Sequence, residues 1–405
     1  MPDTPANARP PRWYHPLEEF FLEAPLGGRT PEEQIDELMS RLLADGLPVH
    51  RFALSFGTLD PLFQSATLLW REQTGTTRER FRRDMEEQPQ WLRSPMKRLL
   101  DGRERWLEWI LPASPAEEAR HPLLADLAAE GAACYAVEGL AFGKPEHAFL
   151  PPYDGMLISW AGREAAPFAA DDWFWIRRLN RRIAAIAKAV GRESRALAIA
   201  RTYLGPLIGH RIFRGQIGRG DVEELEGVLW YCDLRGSTRL ADEMAPRDFM
   251  RLLNDYFDCT AAAVEVHGGA VLKFIGDAVL AGFPQARPEA IRAALAAADS
   301  AALATQEMNA RRSARGEPEI VYGLALRCGR VLFGNVGTPE RLDFTVIGSA
   351  VNEVARMEAL TKDVGASFIV DAEVAAATPQ RWRALGEVGL RGIERPLALF
   401  AEKPA

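Results

Sequence analysis

The stretch from Gly227 to Pro284 places the tightest demands on what this chain can become. Val228–Cys232 is an unbroken apolar and aromatic run, so it reads as a buried strand, and Asp233 is the residue on which it ends. Gly236, Ser237 and Thr238 follow, which suit the start of a helix and leave backbone N–H groups free for an anion. Further on, Val271–Ile275 and Val279–Phe283 form two short strands with Gly276-Asp277 at the turn between them. Two carboxylates beside a loop able to cradle phosphate describe a site for a divalent metal and a nucleoside triphosphate.

A chain of 405 residues has room for two or three domains with their own cores. The net charge of −7 argues against non-specific nucleic-acid binding, which calls for a basic excess. Cations that handle phosphate must then be few and individually placed. The four cysteines (Cys134, Cys232, Cys259, Cys328) lie far apart without a C-x-x-C pair, excluding a disulfide framework or zinc site and fitting a reducing cytoplasm. No run approaches a membrane span, and the N-terminus lacks the apolar centre of a signal peptide. A soluble, cytoplasmic protein is expected.

Residues 1–16 are rich in Pro, Asn and Asp and read as disordered. Thr30-Pro31-Glu32-Glu33 opens a helix with an N-cap, Pro at the first helical position and a capping box. That helix carries Ile35, Leu38, Met39, Leu42 and Leu43 on one face and ends at Gly46. Val49–Ser55 and Ala66–Trp70 read as strands, 75–120 has no clear period, His121–Glu130 reads as a helix, and Cys134–Leu140 and Gly155–Trp160 as strands. An α+β layout over 17–170 resembles the GAF/PAS class of small-molecule-binding domains, GAF more than PAS, with an unknown small molecule or protein as regulator; the alternative is a dimerisation or docking domain without a ligand.

A long helix follows over 171–204, capped by Asp171-Asp172 and stopped by Gly205-Pro206. Ile176, Ile183, Val190, Leu197 and Leu204 recur every seven residues, with Leu179, Ile186 and Ala200 interleaved and Glu193 the polar exception. Such a seam predicts a parallel coiled coil between two protomers; the other use of the stripe is packing on its own domain. Arg177, Arg178, Arg181 and Arg182 read as a solvated outer face. Five glycines and a proline make 205–226 a connector. The rest, 227–405, reads as strand 228–233, a helical region 237–266 interrupted near Pro246, a hairpin 270–284, and a helix 288–312. Strands near 319–327 and 330–336, another into Val346, and a helix 350–361 follow. This is an α+β, ferredoxin-like βαββαβ core with helices on one face of the sheet.

Four motifs in order, CDLRGST (232–238), KFIGD (273–277), FGNVG (333–337) and LDFTVIGSAVNEVARME (342–358), resemble the class III nucleotidyl cyclase catalytic domain, over about residues 222–403. The resemblance implies that Asp233 and Asp277 hold two Mg2+ ions, for which Mn2+ can substitute. The backbone of Leu234, Arg235, Gly236, Ser237 and Thr238 would wrap the phosphates. Lys273 and Thr345, seven residues before Asn352, would read the base. A lysine only donates, which suits the acceptor N1 of adenine and not the donor N1 of guanine. Asn352 and Arg356, one helical turn apart, would orient the ribose and offset transition-state charge, and Arg391 would contact phosphate. Ser237 and Cys328 depart from the phenylalanine and threonine usual in the family. The implied activity is an adenylate cyclase acting on ATP in a homodimer with composite sites. The alternatives are a guanylate cyclase and a catalytically silent nucleotide binder; a diguanylate cyclase lacks its GG[DE]EF signature here.

Overall fold

The computed structural model describes residues 10–15, 17–24, 26–83, 89–101, 104–142, 155–163 and 168–404, with the backbone alone at 170 and 192–194. Residues up to Thr202 form one compact unit and those from Tyr203 a second.

The first unit begins with α1 (Leu17–Glu23) and α2 (Pro31–Ala44). The α2 capping box is present: Thr30 Oγ1 accepts from Glu33 N at 3.3 Å, and Glu33 accepts from Thr30 N at 2.7 Å. Ile35, Leu38, Met39 and Leu42 are its buried stripe. Then come β1 (Val49–Gly57), β2 (Phe63–Arg71), β3 (Gly75–Arg82), α3 (Pro89–Leu92), α4 (Pro95–Asp101), β4 (Trp106–Ile110), α5 (Pro115–Arg120), α6 (Pro122–Ala129), β5 (Ala132–Ala141) and β6 (Gly155–Arg163). One antiparallel sheet results, in the order β3-β2-β1-β6-β5-β4. Strand alternation sends Phe52, Leu54, Ile158 and Trp160 into a core shared with α1, α2 and the helix after β6, while Tyr135, Val137 and Ala161 join Leu99, Leu124 and Leu127 on the other face. The aperiodic region 75–120 has a physical reason. Its β3 is an edge strand whose Thr77–Arg80 are exposed, and charged side chains there discourage pairing with other chains.

The expected disorder of 1–16 falls outside the described residues at 1–9 and 16, and is overturned at 10–15. Trp13 and Tyr14 are buried. Trp13 Nε1 donates to Asp172 at 3.2 Å, and the Tyr14 ring lies 4.7 Å from that of Trp175. Two large aromatic side chains outweigh a polar, Pro-rich background.

The long helix is α7 (Ala170–Leu204). Asp171 and Asp172 sit within its first turn, where Asp172 accepts from Ala169 N at 2.9 Å. The heptad expectation needs correction over its first half: Ile176, Leu179 and Ile183 are buried in their own unit. A side chain in the domain core is not available to a partner helix. Val190 and Leu197 are partly buried and Leu204 exposed, and Glu193 lies outside the described side chains. Nor are the arginines a plain solvated face, since Arg177 lies 5.1 Å from the Trp106 ring centre and Arg182 4.7 Å from that of Tyr14. A buried polar chain fastens α7 to the sheet. Trp160 Nε1 donates to Asn180 Oδ1 at 2.9 Å, and Asn180 Nδ2 donates to Glu138 Oε2 at 2.8 Å. Burial raises the Glu138 carboxyl above its usual range, with Asn180 and Arg177 opposing.

The second unit runs α8 (Pro206–Phe213), β7 (Val222–Leu234), α9 (Ser237–Glu243), α10 (Pro246–Val266), β8 (Ala270–Ile275), β9 (Ala278–Phe283), α11 (Arg287–Ala314), β10 (Tyr322–Thr338), β11 (Arg341–Ile347), α12 (Ser349–Asp363), β12 (Phe368–Asp371), α13 (Ala372–Ala377), β13 (Trp382–Val388) and β14 (Leu397–Glu402). The sheet order is β13-β14-β12-β10-β7-β9-β8, with β11 paired to β10. Within it β10, β7, β9 and β8 are all antiparallel neighbours, the arrangement of a βαββαβ core. Three expectations change. The first strand starts at Val222 rather than 228, inside the expected connector. The strands expected near 319–327 and 330–336 are one 17-residue strand. The glycine between them marks close approach and not a turn: a Cβ on Gly329 would lie 2.5 Å from that of Ala350. And the helices occupy both faces: Val228, Trp230, Cys232 and Leu234 of β7 meet α10 and α11, while Leu229 and Tyr231 meet Val354 and Met357 of α12 and Ile208 of α8.

Replacing Asn180 by Ala leaves Glu138 and Trp160 Nε1 without their buried partner. A loss of about 2–3 kcal/mol is expected for the first unit, from urea unfolding followed by tryptophan fluorescence.

Candidate active site

The pairing of β7 with β9 sets Asp233 opposite Ala278, the residue after Asp277. Asp277 lies in the tight turn between β8 and β9, behind Gly276 at φ 65°. The two carboxylates interact directly. Burial raises the Asp233 carboxyl above its ordinary range, and the charge of Asp277 and a hydrogen bond with it raise it further, against Lys362 and Arg235. Lys362 Nζ stands 3.8 Å from Asp233. Tyr231, on the same face of β7, is pushed up to about 12, first by burial and then by Asp233, Glu358 and Asp277. The charge around this strand end is therefore dominantly negative.

A buried bracket holds the loop after Asp233. Arg235 pairs with Glu358 of α12 at 3.4 Å and donates to the Thr361 hydroxyl. Glu358 is buried, which raises its carboxyl, with Arg235 the largest opposing cause. The pair crosses over Gly323 of β10, where any Cβ would collide with both side chains. Arg235 N donates to Val321 O at 2.7 Å, so of the five loop residues expected to offer N–H groups to phosphate, Arg235 has its own engaged. Leu234 is the buried last residue of β7, Gly236 takes the left-handed conformation at φ 68°, and Ser237 and Thr238 begin α9.

On the hairpin's other side Lys273 of β8 reaches β11, where its Nζ lies 2.6 Å from Asp343 Oδ2. Thr345 is two residues further along β11 and so on the same face as Asp343, with Phe344 turned the other way onto Phe333. Asn352 and Arg356 lie on the exposed side of α12, one turn apart, and no hydrogen bond or ion pair among the described residues joins either to Asp233 or Asp277. Arg391 is exposed in the loop between β13 and β14. The fold thus brings together Asp233 with Asp277, and Lys273 with the β11 strand, and leaves Asn352, Arg356 and Arg391 facing outward.

Sequence reading missed Asp343, Glu358 and Lys362. Glu358 carried a signal: it is one turn beyond Val354, on the buried stripe of α12, and a carboxylate there requires a cationic partner. Asp343 and Lys362 carried none, because their partners are distant in sequence.

Chemically, Asp233 and Asp277 suit a hard divalent cation, which takes one or two carboxylates and completes its shell with water and phosphate oxygens. Among the described residues there is no group of three or more His, Cys, Asp and Glu that could hold a metal ion.

The second unit thus combines an antiparallel βαββαβ sheet with two aspartates at adjoining strand ends and a lysine across the hairpin. Residues 224–384 match the family model of the adenylate and guanylate cyclase catalytic domain. Similar curated proteins include an adenylate cyclase of Anabaena cylindrica, 36% identical over 148 residues (36% of this chain, 30% of that protein), and an uncharacterised protein of Mycobacterium tuberculosis, 35% identical over 185 residues (44% and 33%). The chain spans about a third of the length of these relatives. Among solved structures, the adenylyl cyclase CyaB from P. aeruginosa is similar at 22% identity, over 46% of this chain and 97% of that one, with a TM-score of 0.41. The second unit carries an adenylyl/guanylyl cyclase catalytic domain.

The raised Asp233 carboxyl has a sign. The metal-free fold favours the neutral form, so this contribution to stability is present in acid and lost as pH rises through the folded-state value. Melting of chelator-treated Asp277→Asn protein should therefore lose less stability than wild type as pH rises above the ordinary aspartate range. Added Mg2+ should raise the melting temperature of wild type alone.

Proposed function

We propose that the chain is an adenylate cyclase that converts ATP to 3′,5′-cyclic AMP and pyrophosphate at composite sites in a homodimer. The observation that carries the choice of ATP is the donor and acceptor set between β8 and β11. Lys273 has three N–H donors. One is engaged by Asp343, which holds the ammonium in place and leaves others for the acceptor N1 of adenine. Thr345, on the same face, offers a hydroxyl oxygen to the exocyclic amine. Guanine, which presents a donor at N1, would meet a donor.

Asp233 and Asp277 would hold Mg2+, or Mn2+ in its place, which when bound neutralises phosphate charge and favours the ionised 3′-hydroxyl. The loop 234–238 orients the triphosphate through the N–H groups of Gly236–Thr238, with Arg235 and Glu358 keeping it rigid. Attack of the ribose 3′-oxygen on the α-phosphorus forms the cyclic ester and breaks the bond to pyrophosphate. Asn352 would position the ribose and Arg356 would offset the charge that builds on the phosphate oxygens. Arg391 is a further phosphate contact.

The outward placement of Asn352 and Arg356 supports their serving the site of a second chain. So do Phe274, Ile275, Leu332, Val336, Leu342 and Ile347, exposed apolar residues of β8, β10 and β11 that a partner would cover. The antiparallel six-stranded sheet with helices on both faces supports reading the first unit as a GAF-like regulatory domain, with a small molecule or protein as its regulator. A coiled-coil seam is then restricted to the end of α7, around Leu197 and Leu204. The domains under this reading are 17–170, 171–204, a short link, and a catalytic domain beginning at Val222. Among the described residues no helix is long and apolar enough to cross a membrane.

Purified full chain with Mg2+ or Mn2+ should form cyclic AMP from ATP far faster than cyclic GMP from GTP; predominant cyclic GMP would overturn the base assignment, and inactivity of a well-folded dimer would overturn the enzyme. Lys273→Glu with Thr345→Cys should weaken use of ATP. Asp277→Asn and Arg356→Ala should each lower kcat about 10²–10³-fold, and mixing the two variants should restore activity, because a mixed dimer retains one intact composite site.

A further inference from the structure

The first unit contains a half-enclosed cavity of about 350 Å3 between the sheet face and the helices α1, α2 and α7. Its size lies at the lower end of small-molecule sites, about 300–1,000 Å3. The wall is apolar: Phe20, Leu38, Leu54, Phe56, Leu68 and Met156 line it. Residues of α7 complete it, among them Ile183, Ile186 and Val190, which the heptad pattern assigns to a dimer seam. Their recurrence is thus explained within one chain, by the cavity they enclose.

The polar groups at the cavity identify the head group of an occupant. Asp60 is engaged in closing its own loop, accepting from Leu62 N at 2.8 Å and Phe63 N at 3.0 Å. Arg78 is held by both carboxylate oxygens of Glu32, at 2.7 and 3.1 Å. Arg195 of α7, also in the lining, donates through Nε to Gly191 O at 3.1 Å, and Gln34 donates through Nε2 to Ala24 O at 2.9 Å. Arg80, on the edge strand β3, also lines the cavity; its guanidinium lies 5.7 Å from the Phe63 ring centre and has no carboxylate partner among the described residues. An apolar chamber with an uncompensated guanidinium complements a molecule with one apolar body and one anionic end.

We propose that this cavity binds an apolar monocarboxylate of the medium-chain fatty-acid type, its hydrocarbon against α7 and its carboxylate at Arg80. The binding claim is independent of the catalytic reading. Its consequence for cyclase activity, through a ligand touching the helix that leads to the catalytic domain, rests on that reading.

The test is isothermal titration of the full chain with dodecanoate, alongside dodecanol and octanoate, and with two variants. Ala66→Phe fills the chamber from β2, where Ala66 lines the wall, and Arg80→Gln removes the charge from an exposed position. One dodecanoate per chain is expected, with dodecanol at least about 10-fold weaker, a gap that corresponds to one charge-assisted hydrogen bond. Arg80→Gln should bring the acid down to the alcohol, and Ala66→Phe, checked for native circular dichroism and melting, should bind neither. No binding by wild type, unchanged binding by Ala66→Phe, or equal affinity for acid and alcohol would overturn the proposal. A cavity filled by a second copy would also overturn it, and would appear as absent binding together with dissociation of the Ala66→Phe dimer. Because the readout is heat of binding, a catalytically inactive preparation tests it equally well.

Discussion

The catalytic unit depends on two carboxylates held closer than either would choose. Pairing of β7 with β9 places Asp233 beside the turn that carries Asp277, and burial makes their mutual repulsion count. Lys362 stands at 3.8 Å and is exposed, which tempers the field without neutralising it. The Arg235–Glu358 pair ties the loop to α12 and is admitted by the missing side chain of Gly323. A buried ion pair is a poor source of net stability, but removing one partner strands the other, so it fixes a geometry well. Here the fixed geometry is the loop between strand and helix that follows Asp233.

The hairpin is used twice. Its turn carries Asp277, and its first strand carries Lys273 four residues earlier, held by Asp343 on β11. Because the strand and its turn are continuous, a displacement of Lys273 moves Asp277 as well. α7 is under a similar double demand. Its first half is part of a core, fastened through Asn180 to Glu138 and Trp160, while its last turns are exposed. A helix embedded at one end and open at the other is suited to transmit a change in the packing around its buried part.

Much of the catalytic unit is legible in the sequence. The hairpin 270–284, the break at Pro246, and the helix carrying Asn352 and Arg356 follow from short-range chemistry: alternating apolar residues, a Gly-Asp turn, and proline's missing N–H. The errors share one cause, which is that a local pattern does not say what it packs against. The heptads of α7 are genuine, yet Ile176, Leu179 and Ile183 face their own sheet. The strands expected near 319–327 and 330–336 are one, and Gly329 between them is a close approach to Ala350. Trp13 and Tyr14 sit in a polar leader and are nevertheless buried.

The sequence by itself determined the identity and order of the chemical groups: two aspartates at strand ends, a lysine four residues before the second, and an asparagine and arginine sharing a helix face. Those relations span a few residues and obey the fixed periods of strand and helix. Only the tertiary structure decided that Lys273 meets Asp343, that Arg235 turns inward to Glu358, and that α7 closes a cavity. Each of these joins residues tens of positions apart. Such partners are chosen by which surfaces burial brings together, and burial is a property of the whole chain.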